Sequence, residues 1–249
     1  MSGHSHFSTI RRKKEGKDAA KGQIFSKYAR VIQLAVKSGG GPDPSANYKL
    51  RMAIEKARAS NMPKENIERA ISKGTSSSEN LEEVFYEGFG PSGIGIIVEA
   101  VTNNRNRTSQ EIKNIFERGG GSLAGPGSVS FQFEPKGNVV IKKETDSQKQ
   151  MLDLIDIEGV EDVEEGEDAI DVYTSPDSVG RVRDNLMQKG YSLISIAIIK
   201  RPKSLITVDS KESATKVLNL LEKFEEQDDV QDVYANVDIP NEFLDKTSQ

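Results

Sequence analysis

The 249-residue chain has no cysteine, no tryptophan and only two histidines. Without cysteine there is no disulfide, thiolate metal site or cysteine nucleophile, and the composition fits a reducing compartment. Long hydrophobic runs are also missing. Ile94–Val98 and Leu193–Ile199 are the longest, far short of the roughly 20 apolar residues that a bilayer-spanning helix needs. The amino terminus carries no apolar signal core, and its basic run is followed by Glu15 and Asp18, which a transit peptide avoids. A cytoplasmic protein with no membrane partner is expected. His4 and His6 form an H-x-H pair that offers at most two metal ligands, with no carboxylate nearby in sequence, so neither a metal nor another cofactor is expected. Familiar catalytic spacings are absent too. The glycine-rich stretches SGGGPDPSAN and GGGSLAGPGS lack the Lys-Ser/Thr ending of a P-loop and the strand–GxGxxG–helix setting of a dinucleotide site. A non-enzymatic protein is the expectation.

What is present is charge, unevenly placed. Residues 1–73 hold 16 Lys/Arg against 6 Asp/Glu, a surplus of ten positive charges, while the remaining 176 carry a deficit of fifteen, which together make the net −5. Such asymmetry points to a polyanion-facing end and a solvated or repelling end. Arg11, Arg12, Lys13, Lys14, Lys17 and Lys21 are the expected phosphate contacts, with Lys27 and Arg30 flanking them. His4 and Phe7, interleaved with serines ahead of four consecutive cations, are candidates for base or backbone contact; the alternative for this stretch is a disordered terminus. Further cations, Lys49, Arg51, Lys56 and Arg58, fall on the second predicted helix. Arg105 and Arg107 in NNRNRT precede a predicted helix start and form a candidate anion site, with fixing of the loop as the competing role.

Periodicity predicts three helices in residues 1–75. The first packs from about Ile24 and stops at Gly39-Gly40-Gly41, the second covers about Ala46–Ala59, and the third runs from Pro63 to Gly74. In the first, Lys27, Arg30 and Lys37 are expected on the outer side. A strand is predicted at Ile94–Val101, followed by a helix capped by Thr108-Ser109-Gln110-Glu111 and a strand at Val129–Phe133, as one β-α-β unit. Leu205–Val208, a helix through Phe224 and Val230–Val237 make another. Between them lies a β-α-β-β-α-β succession with the ferredoxin-like order. Its stretch DLIDIEGVEDVEEGEDAID has ten acidic residues in nineteen, expected on the solvated face of a hairpin. The fold class expected is α+β: a basic three-helix domain at 1–75, a discontinuous α/β domain at 76–136 and 203–249, and an inserted acidic ferredoxin-like domain at 137–202.

MSGHSHFSTIRRKK, NMPKENIERAISKG, YEGFGPSGIGIIVEAVTNNRNRT and GGGSLAGPGSVSFQFE together resemble the YebC/PmpR family, which includes the mitochondrial translational activator of cytochrome oxidase subunit one. The resemblance runs nearly end to end and implies a helical amino-terminal domain and two α/β domains. It departs at His6-Phe7, where family members usually carry Lys-Trp, so contacts at those two positions do not carry over directly. It implies a nucleic-acid partner: DNA for a transcriptional regulator, or ribosomal RNA for a translation factor. The transcription machinery or the ribosome would be the larger assembly. No heptad seam is visible, and a monomer is compatible with the sequence.

Overall fold

Helical spacing carries through the first section of the chain in the computed structural model, which describes residues 18–243. Three helices follow one another: α1 (Asp18–Ser38), α2 (Tyr48–Ala59) and α3 (Lys64–Ser76). Their buried stripes meet in one core of Ile32 and Val36 from α1, Leu50, Ile54 and Ala57 from α2, and Ile67 and Ala70 from α3. α1 ends where Gly40 and Gly41 take φ of +98° and +112°, which lets the Gly41 N–H donate to the Val36 carbonyl at 3.1 Å. Asn47 then ties the end of α1 to the start of α2. Its buried amide donates to the carbonyls of Ala35 and Gly41, both at 2.8 Å, and its oxygen accepts from Leu50 N–H at 3.0 Å. Gly74 is not the helix stop that the sequence suggests. α3 runs through it, because a Cβ there would lie 2.9 Å from Val36 Cβ and 3.0 Å from Gln33 Cα. The glycine is what lets α1 and α3 approach closely.

The chain divides into two compact units, one of them Glu134–Arg201 and the other the described residues on either side of it. In the larger unit, β1 (Glu82–Phe89) and β2 (Gly95–Thr102) form an antiparallel hairpin, from Glu82 opposite Thr102 to Phe89 opposite Gly95. β3 (Ser122–Ala124) flanks β1 and β9 (Val230–Ala235) flanks β2, giving the order β3-β1-β2-β9. Helices α4 (Arg105–Arg118) and α7 (Lys211–Glu226) pack through Phe116 and Phe224, edge to face at 4.6 Å between ring centroids.

Several sequence expectations are corrected here. β1 was not anticipated. Its exposed apolar Phe85 and its buried, charged Glu87 hide from the sequence the alternation that Glu83, Val84 and Tyr86 follow. Val129–Phe133 is not a strand: Ser130–Gln132 form a single 3-10 turn, and β3 takes the place in the sheet. The first predicted β-α-β unit thus loses its last strand, whereas the second keeps its strand–helix–strand succession: β8 (Ile206–Thr207) pairs in parallel with β10 (Val237–Asp238) in a separate two-stranded ribbon, while β9 joins the larger sheet. α4 begins three residues earlier than its predicted cap. Asn104 caps it by accepting from Arg107 N–H at 3.1 Å, while Thr108 is buried one turn inside.

The second unit has the ferredoxin-like succession β4 (Phe133–Lys142), α5 (Ser147–Ile155), β5 (Val160–Glu165), β6 (Ala169–Thr174), α6 (Val179–Gln188) and β7 (Leu193–Pro202), with sheet order β5-β6-β4-β7. Val139, Ile141, Leu154, Ile170, Val172, Val182 and Leu186 fill its core. The acidic hairpin is not wholly solvated, because Asp171 is buried and Arg201 binds Asp162 and Glu164, each at 2.6 Å, over the Tyr173 ring. Altogether the fold is α+β, helical first and mixed afterwards.

Candidate nucleic-acid interface

The residues expected to meet phosphate fall into three groups. His4, Phe7, Arg11, Arg12, Lys13, Lys14 and Lys17 lie outside the described residues. Lys21 lies within α1. Lys27 and Arg30 are well placed, and both are occupied by the chain itself. The Lys27 ammonium donates to the Glu225 carbonyl, and the Arg30 guanidinium to the Asp229 carboxylate and, at 3.3 Å, to the Asp228 carbonyl. Gln23 on the same helix reaches the Glu226 carbonyl at 2.6 Å and the Asp228 carboxylate at 3.0 Å, and Lys56 of α2 pairs with Asp232 at 2.7 Å. The side of α1 expected to face outward therefore faces the acidic turn between α7 and β9. Lys37, the third cation of that side, donates to the Glu79 carbonyl.

Asp229 is the centre of this contact. Its carboxylate, 3% exposed, accepts from Arg30, from Arg107 at 2.7 Å and from the Thr108 hydroxyl at 2.7 Å, and Thr108 in turn bonds Thr102 at 2.8 Å. Burial pushes the Asp229 carboxyl upward, but the Thr108 hydroxyl and the two guanidiniums outweigh it and hold it below the usual carboxylate range. The same carboxylate reaches the NNRNRT loop: the anion that Arg107 meets at the start of α4 is Asp229 of the chain itself. Arg105 is exposed, and its carbonyl accepts from the Tyr86 hydroxyl at 3.3 Å. Nothing in the spacing of NNRNRT points to Asp229, more than a hundred residues away in sequence.

A second buried carboxylate organises the GGGSLAGPGS loop. Glu87 of β1 accepts from the backbone N–H groups of Gly127 at 2.8 Å, Val129 at 2.6 Å and Ser130 at 2.8 Å. Burial raises its pKa, and these donors more than reverse the effect, so it is held low and ionised. The loop is a connector folded around an internal carboxylate, not a phosphate cradle.

Among the described cations of the helical section, Arg69 of α3 and the outward face of α2 remain for an external polyanion. Tyr48, Arg51, Glu55 and Arg58 follow each other at steps of three, four and three residues, opposite the buried Leu50, Ala53, Ile54 and Ala57. Lys49 and Arg58 are exposed, and their side chains make no hydrogen bond or ion pair with any described residue. Tyr48 is 48% exposed, with the Arg51 guanidinium 5.4 Å from its ring centroid. The charge count signals the cations but not the tyrosine, whose three-residue spacing to Arg51 is its one sequence cue. α3 offers less to a polyanion: Glu65 and Glu68 are exposed on it, and Lys64 lies 3.5 Å from Glu68. Among the described residues no helix is long and apolar enough to cross a membrane, and no group of three or more His, Asp or Glu could hold a metal ion.

Comparison with known proteins agrees with this architecture. The TACO1/YebC protein N-terminal domain matches residues 5–77, and the TACO1/YebC second and third domain matches residues 81–237. A probable transcriptional regulatory protein of Dictyoglomus turgidum is 47% identical over 252 residues, covering all of both chains. Another from Chloroflexus aggregans is 44% identical over 250 residues, covering 99% of each. The crystal structure of a conserved hypothetical protein from Aquifex aeolicus superposes with a TM-score of 0.82 at 42% identity, covering 92% of this chain and 95% of its own. The Dictyoglomus and Chloroflexus relatives are named as probable transcriptional regulatory proteins, and the chain belongs to the TACO1/YebC family.

Proposed function

We propose that the protein is a non-enzymatic, cytoplasmic regulator of gene expression that grips a nucleic-acid backbone through its basic amino-terminal section, as a DNA-binding transcriptional regulator. The observation that carries this reading is the placement of charge: a surplus of ten in residues 1–73, with the side chains of Lys49 and Arg58 left without a partner among the described residues. The names of the relatives support the transcriptional side. On this reading Arg11, Arg12, Lys13, Lys14, Lys17 and Lys21 supply most phosphate contacts, beside His4 and Phe7. To meet phosphate, Lys27 would have to leave the Glu225 backbone carbonyl and Arg30 the Asp229 carboxylate. The division of labour is a basic helical domain at 1–75, a discontinuous α/β domain at 76–136 and 203–249 that anchors it, and an acidic domain at 137–202 that is kept off the phosphates.

One observation favours a second reading, a ribosome-associated factor bound to RNA. α3 stands where a recognition helix would, yet it presents Glu65 and Glu68 to solvent and would enter a major groove poorly. Backbone contacts without a recognition helix suit folded RNA as well as duplex DNA. The test is the salt dependence of binding to duplex DNA and to a ribosomal RNA fragment, for the wild type and a variant with residues 11–14 neutralised. The slope of log K against log salt should fall by about 0.7–0.9 for each lost phosphate contact. An unchanged slope refutes the arm assignment. Co-sedimentation with ribosomes that the variant loses selects the second reading.

A further inference from the structure

We infer that Tyr48 is a stacking platform for an unpaired nucleobase, with Arg51 clamping its ring and Lys49 and Arg58 meeting the adjoining phosphates. This rests on the nucleic-acid reading above and narrows it to single-stranded segments, of either RNA or DNA.

The argument begins with rigidity. Tyr48 is the first residue of α2, directly after Asn47, whose side chain is locked by three hydrogen bonds to Ala35, Gly41 and Leu50. A side chain added at Gly39 would run into Asn47, so this junction between α1 and α2 is closely built. An aromatic ring left 48% exposed on so fixed a backbone forfeits hydrophobic burial, even with the half-buried Met52 one turn further along α2. Arg51 lies 5.4 Å from the ring centroid and also donates to the Pro44 carbonyl at 3.4 Å, which limits the guanidinium's freedom. One helical face thus presents a ring, a cation beside it, and a second cation at Arg58 about 10 Å further along the axis. Lys49 stands to one side, and Glu55 interrupts the row between the two arginines. Aromatic faces alternating with cations are the chemistry by which single strands are held, since every base offers a π-face. A base inside a duplex is already stacked and could not reach the ring.

The chain contains no tryptophan, so Tyr48→Trp creates a single indole at the platform. In the full-length protein, its fluorescence would be followed while titrating a single-stranded RNA of about 12 pyrimidines, the DNA of the same sequence, and the corresponding duplex. Binding of each oligonucleotide to wild type, Tyr48→Trp and Tyr48→Leu would be measured by anisotropy of a fluorescein label. We expect the indole to be quenched in step with single-strand binding and not with duplex binding. Tyr48→Trp should keep wild-type affinity, and Tyr48→Leu should lose about 5- to 150-fold. Quenching by RNA alone, by DNA alone or by both supports the platform and names its source. Wild-type binding with an unquenched indole and an unimpaired leucine variant overturns the platform and leaves the nucleic-acid reading standing. No binding of any oligonucleotide by the wild type overturns both.

Discussion

Replacing Asp229 with asparagine should loosen the attachment of the helical section to the sheet more than any other single polar substitution in that contact. The carboxylate is 3% exposed and receives Arg30, Arg107 and Thr108. Asparagine keeps the size and one acceptor oxygen but turns an NH2 group toward a guanidinium. A hydrogen bond to a charged group is worth about 1.5–3 kcal/mol, so the loss of two approaches 3–6 kcal/mol. Both guanidiniums are partly exposed, at 34% for Arg30 and 45% for Arg107, and regain water. That recovery brings the expected cost to about 2–4 kcal/mol, or roughly 4–15 °C in Tm for a unit of this size. Circular dichroism melts and urea titrations near neutral pH measure it. The pH profile provides an independent check. Because the folded carboxyl sits below its unfolded value, its contribution is present above the unfolded pKa of about 3.9 and is lost as pH falls through the folded value. The asparagine variant should lack that acid-limb decline. A variant that melts within a degree of wild type and shows the same acid limb would refute the reasoning. A double-mutant cycle with Arg30→Met should then show no coupling either.

Other substitutions separate packing from charge. Gly74→Ala should cost about 1–3 kcal/mol by forcing apart α1 and α3, whereas Gly22→Ala, with nothing within 4 Å of the new Cβ, should stabilise by up to about 1 kcal/mol; thermal melts should move in opposite directions. Glu87→Gln loses charge-assisted bonds to Gly127, Val129 and Ser130. It should expose the 125–131 loop to limited proteolysis before the rest of the chain is cut. Arg30→Met should lower stability while changing the salt slope of nucleic-acid binding by less than one phosphate contact, because its guanidinium is held by Asp229; a full unit of lost slope would mean that Arg30 releases Asp229 when nucleic acid binds.

Periodicity made the helices and the ferredoxin-like succession legible because their apolar residues recur with few interruptions, as in Ile67, Ala70 and Ile71 or Val179, Val182 and Leu186. It failed where long-range polar contacts decide the local structure. VSFQF alternates like a strand, yet Glu87, some forty residues earlier, captures the backbone N–H groups of Val129 and Ser130 and bends the segment into a turn. TSQE has the spacing of a capping box, yet Thr108 is drawn into the core by Thr102 and Asp229, and Asn104 caps in its place. Gly74 reads as a stop because glycine usually ends helices, and only the approach of α1 explains why it sits inside one.

The same limit applies to charge, and it changes where the interface should be sought. A count of cations treats every Lys and Arg as available, but the fold neutralises them selectively. Arg30 and Lys56 pair with Asp229 and Asp232, Lys73 with Glu79 and Lys64 with Glu68, while Lys27 and Lys37 keep their charge but donate to the backbone carbonyls of Glu225 and Glu79. Part of the acidic excess of the later sequence is therefore an internal counter-charge that holds the basic helices in place, and not only a surface that repels phosphate. Subtracting those contacts leaves Arg69 of α3, beside Glu65 and Glu68, and the outward face of α2, where Lys49, Arg51 and Arg58 around an exposed tyrosine make the described surface with the best claim on a polyanion. A surface of that kind takes its affinity from cations and its preference for unpaired bases from the ring, so loss of charge and loss of the ring should act on different observables. Neutralising Arg58 should reduce the salt slope by one contact in both cases, about 0.7 for single strands and about 0.9 for duplexes, while removing the Tyr48 ring should leave the slope intact and erase the difference in affinity between them.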